Sequence, residues 1–198
     1  MLGGASVVRL YKGVGPGTFH HGTHLQTTGI VAHRATAAAD LQAVVQHVAY
    51  GPVNSPLISL TSSYAVAAQY ALVGTHHATS GSPGYVYQID VPDPLPLGAR
   101  VHDAALYIAA EILKINNSLS SIAYRHNGDR AFLLSIVDPG NFGHLKYIPP
   151  AVPKGNSSSN PPTLTIHLEA MVNALRDAEV FAVGTVPQNW ITARHDVP

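Results

Sequence analysis

The stretch Tyr85-Val-Tyr-Gln-Ile-Asp-Val91 alternates bulky apolar residues with mixed ones at period two, the pattern of a β-strand with one buried face. Tyr85 and Tyr87 fall on the same face, so at least one of them is expected in the core. Gly81-Ser-Pro-Gly84 turns into this strand, and Pro92 to Pro96 is expected to break it. Upstream, Pro56 to Leu60 reads as a short strand, followed by Thr61-Ser62-Ser63, whose hydroxyls suit the cap of a helix over Tyr64 to Leu72. Further upstream, Leu41, Val44, Val45 and Val48 recur at helical spacing, which predicts a helix over Asp40 to Val48, stopped by Gly51-Pro52. The chain opens with a strand over Ser6 to Lys12, closed by Gly13. Downstream come a helix over Ala104 to Ile115, a strand over Arg130 to Val137, an amphipathic helix over Thr165 to Leu175 and a strand over Glu179 to Val183. Strands and helices mix without a regular βαβ alternation, so the expected class is α+β.

The 198 residues suit one domain spanning 1–198, and 46% hydrophobic residues supply a sizeable core. Pro149 to Pro162 is rich in Pro, Ser and Asn and is expected to be a long flexible surface loop. Lys and Arg number 11, as do Asp and Glu, so the formal net charge is +0. That balance argues against an extended nucleic-acid surface. With no cysteine, a disulfide framework, a cysteine zinc site and thiol catalysis are all excluded. Neither a signal peptide nor a membrane span is legible, so a soluble protein is expected, its compartment left open.

The chain holds three glutamates, Glu111, Glu169 and Glu179. Glu111 and Glu169 read as solvated residues on helix faces. Glu179 opens an apolar strand two residues after Asp177, and alternation would put both carboxylates on one side. On pattern alone, this is a strand end exposing two carboxylates to water. The hydroxyl run around Ser59, Thr61 and Ser62 lies where a strand passes into a helix, a junction suited either to capping or to holding a polar ligand. His20, His21, His24 and His33 cluster early in the chain. Gly22 argues against a helix that would align them, and no nearby acid or cysteine completes a site, so no metal is expected.

Taken in order, Leu10-Tyr-Lys-Gly13, Gly29-Ile-Val-Ala-His33, Ser55-Pro-Leu-Ile-Ser-Leu-Thr-Ser-Ser63, Gly84-Tyr-Val-Tyr-Gln-Ile89 and Glu179-Val-Phe-Ala-Val-Gly-Thr-Val-Pro187 resemble an ADP-ribosyltransferase. The similarity is to the arginine–serine–glutamate branch, which includes cholera-toxin-like and pierisin- or scabin-like enzymes. The resemblance implies a split central β-sandwich with flanking helices and an NAD+ cleft between the sheets. It implies that Glu179 is catalytic and accepts a hydrogen bond from an NAD+ ribose hydroxyl, while Ser59, Thr61 and Ser62 support the pocket. Asp177 stands where the family carries a Glu or Gln that engages the acceptor. Lys12 replaces the family's arginine as the phosphate contact, a point charge where a guanidinium would form a bidentate fork. Arg9, three residues earlier, would face the other side of a regular strand. His21-Gly22-Thr23 also resembles the His-Gly-Thr of the histidine–tyrosine–glutamate branch, which would bring His21 near the NAD+ ribose, although Ile58 stands where that branch needs a tyrosine.

The expected activity is transfer of ADP-ribose from NAD+, the co-substrate and expected partner, to an acceptor that is a protein, a nucleobase or a small molecule. NAD+ hydrolysis and a binding module that has lost catalysis are the alternatives.

Overall fold

The computed structural model describes residues 6–52, 54–116, 170–171 and 173–198. In chain order the elements are β1 (Ser6–Val14), α1 (Leu25–Thr28), β2 (Ile30–Val31), α2 (Leu41–Tyr50), β3 (Leu57–Thr61), α3 (Tyr64–Leu72) and β4 (Gly84–Asp93). They continue with β5 (Val101–Asp103), α4 (Ala104–Asn116), β6 (Glu179–Val183), β7 (Thr185–Val186), a 3-10 turn (Gln188–Trp190) and β8 (Ile191–Val197). Residues 170–171 and 173–176 are also helical. The expected strand over Arg130 to Val137 and the expected loop over Pro149 to Pro162 lie outside the described residues.

Local chemistry accounts for the helix starts. Asp40 caps α2 by accepting from the Ala43 backbone N–H at 2.9 Å, and Ser63 caps α3 by accepting from Val66 at 3.3 Å. β4 runs through Pro92, contrary to the expected break. Beyond Ile89 it has no partner on the β8 side among the described residues, and an edge tolerates a residue that lacks an N–H. β8, for which the sequence pattern gives no expectation, pairs with β4 and extends that side of the sheet.

The class is α+β, and among the described residues every strand pair is antiparallel. Six strands lie in the order β5-β6-β3-β1-β4-β8, and β2 pairs with β7 in a small second sheet. β1 pairs with β4 along its whole length but meets β3 at one position, Tyr11 opposite Thr61. The large sheet is therefore two three-stranded halves joined at a single pair.

Alternation on β3 divides the core. Ile58 and Leu60 pack with Leu10, Tyr87, Ile89, Val186 and Trp190 on one side. Leu57 packs with Phe181 and the apolar faces of α2 and α4 on the other. Tyr87 is fully buried, as one of the two strand tyrosines was expected to be. Helix α3 lies against β1 and β4 where Gly13 and Gly84 face it. A Cβ on either glycine would collide with the carbonyl of Ala67 or Ala71, so backbone meets backbone at this contact.

Candidate active site

Ser59 and Thr61 lie on the side of β3 that faces α2, because they share the parity of Leu57. Opposite Thr61, Glu179 begins β6. The three side chains line a cavity of about 790 Å³ that also takes in Lys12, His47, Tyr70, Arg176 and Asp177. Its walls include the facing stretches of β1 and β3 that are not paired to each other.

The Glu179 side chain is 10% exposed. Burial and the charge of Asp177 push its carboxyl up to about 7, against the opposing pull of a Ser59 hydrogen bond and of Arg176 and Lys12. Lys12 reaches across the gap and donates from Nζ to the backbone carbonyl of Ser59 at 3.3 Å. Burial lowers its ammonium to about 8, with Glu179 partly offsetting that cost. The cavity thus holds a coupled acid and base, both titrating near neutrality, as functional sites often do.

Asp177 differs from its expected arrangement. It is only 7% exposed and lies in the turn before β6, where Ala178 takes a left-handed φ of 46° and ends the strand alternation. Arg176 grips it through Nε and Nη2, both at 2.8 Å, and the Tyr70 hydroxyl donates to Oδ2 at 2.7 Å. Burial, together with the Asp177 charge, raises the Tyr70 phenol well above its usual range. Neither carboxylate is the solvated strand end that the pattern suggested.

Thr61 secures the turn that carries Glu179. Its hydroxyl donates to the Asp177 carbonyl at 2.7 Å and accepts from the Ser63 backbone N–H at 3.0 Å. Ser62 adds a backbone bond to the Ala178 carbonyl at 3.2 Å, while its exposed side chain is not in the cavity wall. Ser62 thus braces the turn through its main chain. His21 is likewise outside the wall: Nε2–H donates to the Pro83 carbonyl at 2.8 Å and the ring stacks on Tyr85 at 5.0 Å. Arg9 is turned away, bonding Asp90 across β1 and β4 at 2.8 Å.

No family model, curated protein or solved structure matches the chain.

Sequence reasoning missed three cavity residues, Tyr70, Arg176 and His47. Arg176 sits beside Asp177 and neutralises it. His47 lies on the buried face of α2 with Val44 and Val48, and its Nε2 is 2.6 Å from Ser59 Oγ and 3.6 Å from Glu179 Oε1. The helical spacing of the valines could have flagged it as a buried polar residue. At the cavity rim Phe19 is 61% exposed, with the His33 ring 3.9 Å away, and His20 stands nearby with its imidazole lowered to about 3 by burial and the charge of Lys12. Among the described residues, no three His, Cys, Asp or Glu side chains converge as metal ligands. Also among the described residues, no helix is long and apolar enough to cross a membrane.

Proposed function

We propose that this chain is an ADP-ribosyltransferase that cleaves NAD+. The observation that carries the reading is a buried glutamate, Glu179, bonded by Ser59 and facing Lys12 in the cavity walled by the unpaired stretches of β1 and β3. Those residues come from three distant segments on which the resemblance rests. A sheet whose halves join at one pair also supports the split architecture that the resemblance implies. The cavity volume is in the range that takes a small-molecule ligand.

In the proposed reaction the bond between nicotinamide N1 and ribose C1′ breaks, and its electron pair leaves with neutral nicotinamide. C1′ becomes oxocarbenium-like. Ionised Glu179, accepting a ribose hydroxyl, stabilises that cation more than it stabilises bound NAD+. A lone pair of the acceptor then bonds to C1′, and Glu179, with its carboxyl near 7, takes the acceptor's proton. Lys12 supplies the positive charge for the diphosphate.

One observation favours NAD+ hydrolysis as the second reading. Asp177, in the position expected to engage an acceptor, is occupied by Arg176 and Tyr70, which leaves water as a sufficient acceptor.

The test is nicotinamide release from NAD+ by the purified protein and by Glu179→Gln, with no acceptor added. Release that rises with pH through about 7 and is lost in the variant supports the reading. Equal release by both proteins removes Glu179 from the chemistry. If neither protein releases nicotinamide and calorimetry detects no NAD+ binding, the reading is overturned.

A further inference from the structure

His47 is 3% exposed, and both its ring nitrogens face hydroxyls: Nδ1 lies 2.7 Å from Ser55 Oγ and Nε2 lies 2.6 Å from Ser59 Oγ. Ser55 Oγ also accepts the Leu57 backbone N–H at 3.1 Å. A neutral imidazole donates from one nitrogen and accepts at the other, so the direction of this chain of bonds follows from counting protons.

With the proton on Nδ1, Ser55 Oγ would accept from both His47 and Leu57. Its own hydroxyl proton would then have no acceptor among the described residues. Ser59 would have to turn its proton to Nε2 and away from Glu179. With the proton on Nε2, every donor finds an acceptor: Ser55 O–H to Nδ1, Nε2–H to Ser59 Oγ, and Ser59 O–H to the Glu179 carboxylate. We propose that His47 is a positioning residue, held as the Nε2–H tautomer, which aims the Ser59 hydroxyl proton at Glu179. Burial supports the neutral ring, since it lowers the imidazole to about 3 with help from the charges of Lys12 and His33. The other groups facing Glu179 are Lys12 on β1, Tyr70 on α3, and Arg176 and Asp177 before β6.

The direction of the bonds stands on the 2.7 and 2.6 Å contacts of the two ring nitrogens and on the Leu57 bond to Ser55, and the link to Glu179 on the Ser59 hydrogen bond that lowers its carboxyl. Its catalytic consequence rests on the ADP-ribosyltransferase reading: a carboxylate bonded by Ser59 stays ionised at lower pH.

Three glutamates make the test tractable. Carboxyl-¹³C-glutamate protein is titrated by NMR without NAD+, and Glu179→Gln assigns the resonance. His47→Leu, which leaves the Ser59 hydroxyl free to rotate among its staggered positions, is expected to weaken its bond to Glu179 and raise the Glu179 midpoint by about half a pH unit. His47→Gln, which carries an N–H near the Nε2 position, is expected to leave it near the wild-type value. Under the opposite polarity His47→Leu frees the Ser59 proton for Glu179 and the midpoint falls, so the sign of the change decides. In the wild type itself, ¹⁵N shifts are expected to show the protonated nitrogen as Nε2. A proton on Nδ1, a doubly protonated ring, or an unmoved or lowered midpoint in His47→Leu overturns the proposal. With NAD+ added, the acid limb of kcat is expected to follow the midpoint, with KM unchanged. Absence of NAD+ cleavage by the wild type beside a raised midpoint sinks the transferase reading and leaves the positioning role in place.

Discussion

Glu179→Gln removes an ionisable group while keeping its size, so its effect on stability reports how deeply the carboxylate is buried. Burial and Asp177 raise the Glu179 carboxyl from 4.5 to about 7 in the folded chain. A raised folded-state value means that native protein holds a proton the unfolded chain has released. The stabilising contribution is complete below about pH 4.5 and is lost as pH rises through about 7. From about pH 5 to about pH 8, with a slope that approaches 1.36 kcal/mol per pH unit between the two midpoints, wild type loses about 2.5 kcal/mol that the glutamine variant keeps. Lys12 trims the effect without reversing it: its attraction to ionised Glu179 favours wild type only where both are charged, around pH 7 to 8. The variant therefore gains on wild type as pH rises. Urea unfolding followed by Trp190, the single and buried tryptophan, measures this at about pH 5 and about pH 8. In thermal melts the same widening is about 5–10 °C for a domain of this size. A difference that is independent of pH, or that narrows as pH rises, refutes the burial of Glu179.

Asp177→Asn disrupts the two charge-assisted 2.8 Å bonds from Arg176, whose side chain is 14% exposed, and is expected to lower stability by about 2 kcal/mol in urea unfolding. The same variant removes a charge that raises Glu179, so the Glu179 carboxyl should titrate below about 7 by NMR. Gly84→Ala would drive a Cβ into the Ala71 carbonyl and force α3 off the sheet. An unfolding free energy lower by about 2 kcal/mol or more is expected, and an unchanged urea midpoint would refute the close approach.

Period-two and helical patterns placed α2, α3, β4 and β6 within a residue or two, because each buries one face and side-chain spacing alone reports that. Short elements escaped. β2, β5 and β7 hold two or three residues each, and β8 exposes most of its side chains, so neither gives a hydrophobic pattern to read. At the site, Glu179, Ser59 and Lys12 were legible as a set through the order of their motifs, and Thr61 through its place in the hydroxyl run. His47 and Arg176 carried no motif, since a helix face and a post-helix turn acquire meaning only from what packs against them.

The sequence by itself determined the α+β class, the main strands and helices, and which residues were chemically able to act, since all of these depend on neighbours along the chain. Tertiary structure alone decided that Asp177 is tied to Arg176 and Tyr70, that His47 stands behind Ser59, and that β1 and β3 meet at one pair. Each of these depends on groups far apart in sequence. Burial, which moves the Glu179 and Lys12 equilibria toward neutrality, is a property of their packed surroundings and is written in no single segment.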